Sequence, residues 1–296
     1  MRWMVVGRIL TWGAALFLPS ACGGGDPGPG PEPIGPITIR NGDVTLAAIL
    51  DVPTTPGPHP VMVFVPGSGR GTKESDQAAV DLALPRGIAV VRYDKRGLGQ
   101  STGTFEEITV GGANSERVLD VRASDVRAIV EYLATRSDIR ADRIFLWGTS
   151  QGAWVAPLVA TRTSKVAFVI NVSGGGSPVG TSDYYDGLAA AEPTASIEDL
   201  TARLDAFAGP FGYDPRPTLA AVNVPILWLF GGLDRSNPSL YDIAQVERIK
   251  QLNGKDFTVE LFPRMNHEMI DVDTNQIPAD LMPKVATFVA ARFGQP

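Results

Sequence analysis

Acyl-transfer chemistry without a metal needs a hydroxyl or thiol nucleophile, a base to deprotonate it, and a carboxylate to orient the base. The base is the scarcest part here, because the chain holds only two histidines, His59 and His267. Serines in a suitable setting occur in two Gly-x-Ser-x-Gly segments, Gly99-Gln100-Ser101-Thr102-Gly103 and Gly148-Thr149-Ser150-Gln151-Gly152. Context separates them. A nucleophile elbow needs a buried strand running straight into the serine and a helix leaving straight after it, so that the sharp turn exposes the hydroxyl. Ile144-Phe145-Leu146-Trp147 runs into Ser150, and an apolar segment with helical patterning follows. Pro157 is a blemish in that segment, expected to kink the helix after its first turn. Ser101 lies well beyond the strand ending at Tyr93, and residues 102–112 have no helical pattern. Ser150 is the expected nucleophile; Ser101 reads as loop structure.

His59 sits between Pro58 and Pro60 at a strand start, where imidazole caps or faces solvent. His267 follows the apolar run 257–262 and precedes a terminal helix, which puts it at the carboxyl end of a late strand. Ligand sites of α/β sheets gather at that end, so His267 is the expected base. For the acid, Asp234 follows the buried run 225–230 through a turn opened by Gly231 and Gly232, with Asp271 and Asp273 as runners-up. A developing oxyanion needs pre-aimed backbone donors. The N–H of Gln151, next after the nucleophile, is one. The other is expected from the glycine turn Pro66-Gly67-Ser68-Gly69, at the Ser68 N–H.

The elements that must hold these residues alternate. Residues 37–40 and 44–50 read as a hairpin about Asn41-Gly42-Asp43. Strands are expected at 61–65, 88–93, 143–147, 166–172, 225–230 and 257–262. Helices are expected at 114–136, 151–161, 240–252 and 278–293. Strands alternating with helices imply parallel crossover units in a layered α/β sheet. Residues 173–224 break the rhythm. A structureless loop of that length is uncommon in a compact domain, so a small cap insertion is expected at about 174–222, with a helix near 197–207. Tyr184, Tyr185, Phe207, Phe211 and Tyr213 fall in it, either to dock an apolar acyl or aryl group or to form the cap's own core.

Residues 1–21 read as an export signal, with Arg2 and Arg8 before an apolar run too short to span a bilayer. Cys22, the chain's one cysteine, follows Leu18-Pro19-Ser20-Ala21 and precedes a Gly/Pro-rich linker to residue 36. That arrangement resembles a bacterial lipoprotein signal with Cys22 lipidated, although Pro19 departs from the usual aliphatic or small residue; plain secretion is the alternative. The folded domain is then 37–296. One cysteine forbids an intrachain disulfide, and no cluster has metal-ligand spacing. A net charge of −6 over 296 residues, with no basic stripe, disfavours a nucleic-acid partner.

The segment 61–69, the loop Tyr93-Asp94-Lys95-Arg96-Gly97-Leu98-Gly99-Gln100-Ser101, the Ser150 elbow, Asp234 and His267 together resemble the α/β-hydrolase family over residues 37–293. The chain order Ser150, Asp234, His267 is that family's order. The branch most similar is that of bacterial serine esterases related to dienelactone-hydrolase-like, acyl-CoA-thioesterase-like and prolyl-peptidase-like domains. The resemblance implies a three-layer fold with a mostly parallel sheet, and Asp94 and Arg96 bracing the active-site face without chemistry of their own. It implies hydrolysis of a small-molecule carboxylic ester through an acyl-enzyme, with no cofactor. Membrane attachment would come only through a lipid on Cys22, at a bacterial cell envelope. A peptidase or thioesterase on the same fold is the alternative, and a non-catalytic binding lipoprotein a further one.

Overall fold

The computed structural model describes residues 36–294. The signal segment, Cys22 and the linker up to residue 35 lie outside the described residues. Pro36, assigned to the linker on sequence, pairs with Ile49 and so belongs to the first strand.

A single sheet of eight strands runs in the order β1-β2-β4-β3-β5-β6-β7-β8. Its strands are β1 (Pro36–Asn41), β2 (Val44–Asp51), β3 (His59–Val65), β4 (Ala89–Tyr93), β5 (Ile139–Thr149), β6 (Val166–Val172), β7 (Ile226–Gly231) and β8 (Phe257–Phe262). β1 and β2 form the expected hairpin, closed by Gly42 at φ +59°. β2 joins β4 antiparallel, and every pairing from β4 to β8 is parallel.

Alternation along the strands creates two cores. Val61, Val63, Val65, Ile144 and Leu146 face one side, against α2 (Ser115–Leu133), α3 (Gly152–Ala160), α6 (Arg216–Ala221) and α7 (Ser239–Asn253). Met62, Phe145 and Trp147 face the other, against α1 (Gln77–Ala83) and α8 (Leu281–Phe293). A strand apolar on both faces can only be covered by helices on both sides. The result is the expected three-layer arrangement.

Two local outcomes differ from the sequence reading, and a third agrees with it in spite of a proline. α1 has no counterpart in it, because a seven-residue helix running into Pro85 and Gly87 shows too little periodicity to detect. α3 runs through Pro157 to Ala160, in line with the helix expected at 151–161. Proline at 157 leaves the carbonyl of Ala153 without its helical donor, and Asn171 Nδ2 of β6 supplies one at 3.0 Å. The insertion between β6 and β7 holds α4 (Val179–Ala191), α5 (Ile197–Ala202), a 3-10 turn at Arg203–Ala206, and α6. The single helix expected at 197–207 is therefore split, and α4 has no counterpart in the sequence reading because half of its buried positions are glycine, threonine and serine.

Candidate active site

β5 delivers Ser150 to the carboxyl rim of the sheet and α3 begins two residues later. Ser150 stands at φ +51°, a left-handed conformation that a side chain adopts at a cost of order 1–3 kcal/mol. Its N–H donates to Val172 O at 2.8 Å, and its carbonyl accepts from Ala153 N at 2.9 Å. The flanking glycines have a steric reason. A Cβ on Gly148 would lie 2.5 Å from Gly152 O, and one on Gly152 would lie 2.1 Å from Val65 O. Gly152→Ala must therefore push α3 off β3. We expect it to lower stability by about 3 kcal/mol or more, read as a fall in the chemical-denaturation midpoint.

Asp234 follows β7 and is fully buried. Its Oδ1 accepts two backbone N–H bonds, from Ser236 and Asn237, each 2.8 Å. Asparagine and aspartate side chains favour this local turn geometry. Its Oδ2 lies 2.8 Å from His267 Nδ1. His267 rides on the loop after β8, pinned by the Met265–Asp271 bridge and by Asn266, whose Oδ1 accepts the N–H groups of Glu268 and Ile270. Asn237 links this loop back to the elbow. Its Nδ2 donates to Ser173 O at 2.8 Å and lies 3.5 Å from His267 Nδ1, and Ser173 follows the Val172 that receives the Ser150 N–H. The Tyr185 hydroxyl of α4 donates to Asp234 O at 2.9 Å, so the insertion fixes the acid loop from above.

Two opposing causes act on His267. Burial pulls the imidazole pKa down, but the charge of Asp234 and its hydrogen bond pull it up further, and the net is above the ordinary 6.5. A general base works unprotonated. We expect kcat/KM to rise with pH through a midpoint above 6.5 and then level off, as a pH–rate profile would read directly.

The glycine turn lies against the elbow: a Cβ on Gly67 would stand 3.2 Å from Ser150 Cβ and 3.7 Å from Ser150 Oγ. Ser68 is exposed and Gln151 is buried. Among the described residues neither backbone N–H has a protein acceptor.

The rejected candidates are elsewhere or otherwise engaged. His59 pairs with Ile139 at the amino ends of β3 and β5, the rim opposite Ser150, with its N–H on Asp138 O. Ser101 Oγ donates to Asp94 O and accepts from Ala47 N. Asp271 is held well below the usual carboxylate range by Arg264, whose guanidinium also takes Asp273. Asp94 accepts from Lys73 N and Nζ, both 2.9 Å, just past the glycine turn. Arg96 pairs with Asp125 of α2 and ties the β4 loop to that helix. The aromatic residues of the insertion divide. Tyr185 and Tyr213 are buried, while Tyr184 stacks on Phe207 at 4.6 Å, with Phe211 edge-on at 5.4 Å, and Tyr184 and Phe211 reach the surface.

Sequence reasoning missed Asn237 and Tyr185. The Asp234-x-x-Asn237 spacing carries a weak turn signal, whereas nothing local ties Tyr185 to a strand end that follows it by forty-odd residues.

Comparison with known proteins accords with this geometry. The family model for X-Pro dipeptidyl-peptidase (S15 family) matches residues 41–231, which includes the elbow and stops short of Asp234 and His267. The quorum-quenching protein AidA of Acinetobacter baumannii is 26% identical over 143 residues, 47% of this chain and 44% of that protein. The 2,6-dihydropseudooxynicotine hydrolase of Paenarthrobacter nicotinovorans is 27% identical over 143 residues, 48% of this chain and 35% of that protein. The match thus spans less than half the length of either curated relative. An esterase of Pyrococcus furiosus superposes with a TM-score of 0.66 at 19% identity, covering 89% of this chain and 92% of that one, which shows the α/β-hydrolase fold. With the elbow inside the matched span and the sheet order around it, this chain belongs to the X-Pro dipeptidyl-peptidase (S15) family of α/β hydrolases.

Proposed function

We propose that the chain is a serine hydrolase acting on carboxylic esters of small molecules, with Ser150 as nucleophile, His267 as base and Asp234 as its orienting acid. The observation that carries this reading is the 2.8 Å bond between His267 Nδ1 and Asp234 Oδ2, made at the rim where Ser150 turns out of its strand. A buried carboxylate on Nδ1 leaves Nε2 to take up a proton and steadies the imidazolium that results. In the first half-reaction Ser150 Oγ bonds to the ester carbonyl carbon while its proton passes to Nε2. The N–H groups of Ser68 and Gln151 receive the oxyanion. The alcohol leaves with the proton from the imidazolium, giving an acyl-enzyme. Water repeats the sequence and releases the acid.

A fluorophosphonate probe tests the reading. It is expected to label Ser150 covalently in wild type and to leave Ser150→Ala unlabelled; a folded wild type that takes no label overturns it.

A serine peptidase is the second reading, favoured by the description of the matched family. The same groups attack an amide, so the two differ only in substrate fit. Ester hydrolysis is supported by a p-nitrophenyl acetate rate exceeding that on an X-Pro p-nitroanilide, and the reverse ranking moves the assignment to the peptidase.

Placement at a bacterial envelope is also proposed, on the reading of residues 1–22 alone. A lipid on Cys22 anchors a protein without a spanning helix. Mass spectrometry of the mature N-terminus is expected to find a lipid-modified Cys22, and an unmodified terminal thiol excludes the anchor.

A further inference from the structure

Lys95 and Lys73 are both buried lysines near the glycine turn, and they are used differently. Lys73 Nζ lies 2.9 Å from both Asp94 and Glu74, so its charge is spent on carboxylates. Lys95 forms no salt bridge among the described residues. Its ammonium donates instead to two main-chain carbonyls of the glycine turn, Gly67 O and Gly69 O, the latter at 2.9 Å. Among the described residues, these are the hydrogen bonds that hold residues 67–71; Thr72, the next residue, is tied to Ser75.

A trans peptide sets its C=O and N–H on opposite sides of the chain. A cation that holds Gly67 O therefore turns the N–H of Ser68 away from itself, and the hold on Gly69 O does the same for the next peptide but one. The turn needs this restraint, since Gly69 at φ +82° and Gly67 have few steric limits of their own. Gly67 itself lies against Ser150, where a Cβ would meet the serine Cβ at 3.2 Å and its Oγ at 3.7 Å.

We propose that Lys95 is the positioning residue of the oxyanion site, a clamp that aims the Ser68 N–H by holding the carbonyls of Gly67 and Gly69. This rests on the serine-hydrolase reading above. Burial, then the charge of Arg122 on α2, pulls the Lys95 pKa down to about 7, against the opposing pull of Asp76 and Glu107. Both its ammonium and amine forms keep enough N–H groups for two carbonyls.

The test replaces Lys95 by Met, similar in length and without donors. The wild type is first shown to be labelled at Ser150 by the fluorophosphonate; no label defeats the hydrolase reading and this one with it. In a labelled background, Lys95→Met is expected to lower kcat about 100-fold, the scale of one lost oxyanion donor. KM should change less than about threefold, and affinity for an alkylboronic acid, which forms a tetrahedral adduct with the serine, should fall in step with kcat. Combining it with Ser68→Pro, which deletes the N–H, should lose less than the product of the two single losses, because both remove one interaction. A Lys95→Met protein with a wild-type thermal transition and wild-type kcat overturns the proposal, as does a double variant whose losses multiply. If Lys95→Met does not fold, Lys95→Leu, also without donors, takes the same measurements with the same two overturning results.

Discussion

Ser150→Ala is expected to reduce kcat by about a million-fold while leaving the fold intact. Removal of a serine nucleophile in this chemistry costs that much because the base and the acid have no other partner to act through. Binding and the backbone donors remain, so a small rate above the uncatalysed one should persist. Stability should not fall, since alanine removes a hydroxyl that no protein group in the described residues uses. Alanine also keeps the Cβ already accommodated at φ +51°. A variant that keeps more than about one hundredth of wild-type turnover would falsify the role given to this serine.

Asp234→Asn should be the second largest effect, about ten-thousand-fold in kcat. The reason lies in which end of the asparagine meets which partner. The backbone N–H groups of Ser236 and Asn237 both need an oxygen at the Oδ1 position, at 2.8 Å each. The amide nitrogen is thereby directed at His267 Nδ1, where the carboxylate oxygen had been. A donor there forces Nδ1 to be the acceptor and places the ring proton on Nε2, so the imidazole can no longer take the serine's proton. Loss of the negative charge also removes the pull that raises the imidazole pKa. The midpoint of the residual pH–rate profile should fall below that of wild type. A near-unchanged kcat in a folded Asp234→Asn protein would point to Asp271 or another acid as the partner.

Much of the site was legible in the string because each part has a local signature. The elbow combines a buried run, a tight turn and a helix within some fifteen residues. With only two histidines in the chain, position after a strand singles out His267 as the candidate base. Asp234 was marked by its own buried strand and glycine turn, and its Oδ1 geometry is a local motif. The strands were readable for the same reason, as apolar runs too continuous for a sheet with a solvent face.

What the string by itself determined about this protein is therefore the layered α/β architecture that brings strand ends together, and the positions of Ser150, Asp234 and His267 at those ends, on which the proposed roles rest. Tertiary structure alone decided which distant groups contact the loops that carry them. The Lys95 hydrogen bonds depend on the glycine turn lying across β4's end, that of Tyr185 on α4 folding over the Asp234 loop, and that of Asn237 on the meeting of the β6 and β7 ends. Pro157 is the clearest instance: locally it forbids a helix hydrogen bond, and the helix survives because a residue on the adjacent strand supplies the donor. Periodicity reports which face of an element is buried, whereas a hydrogen bond between elements depends on register and crossing, which are settled only when the layers pack.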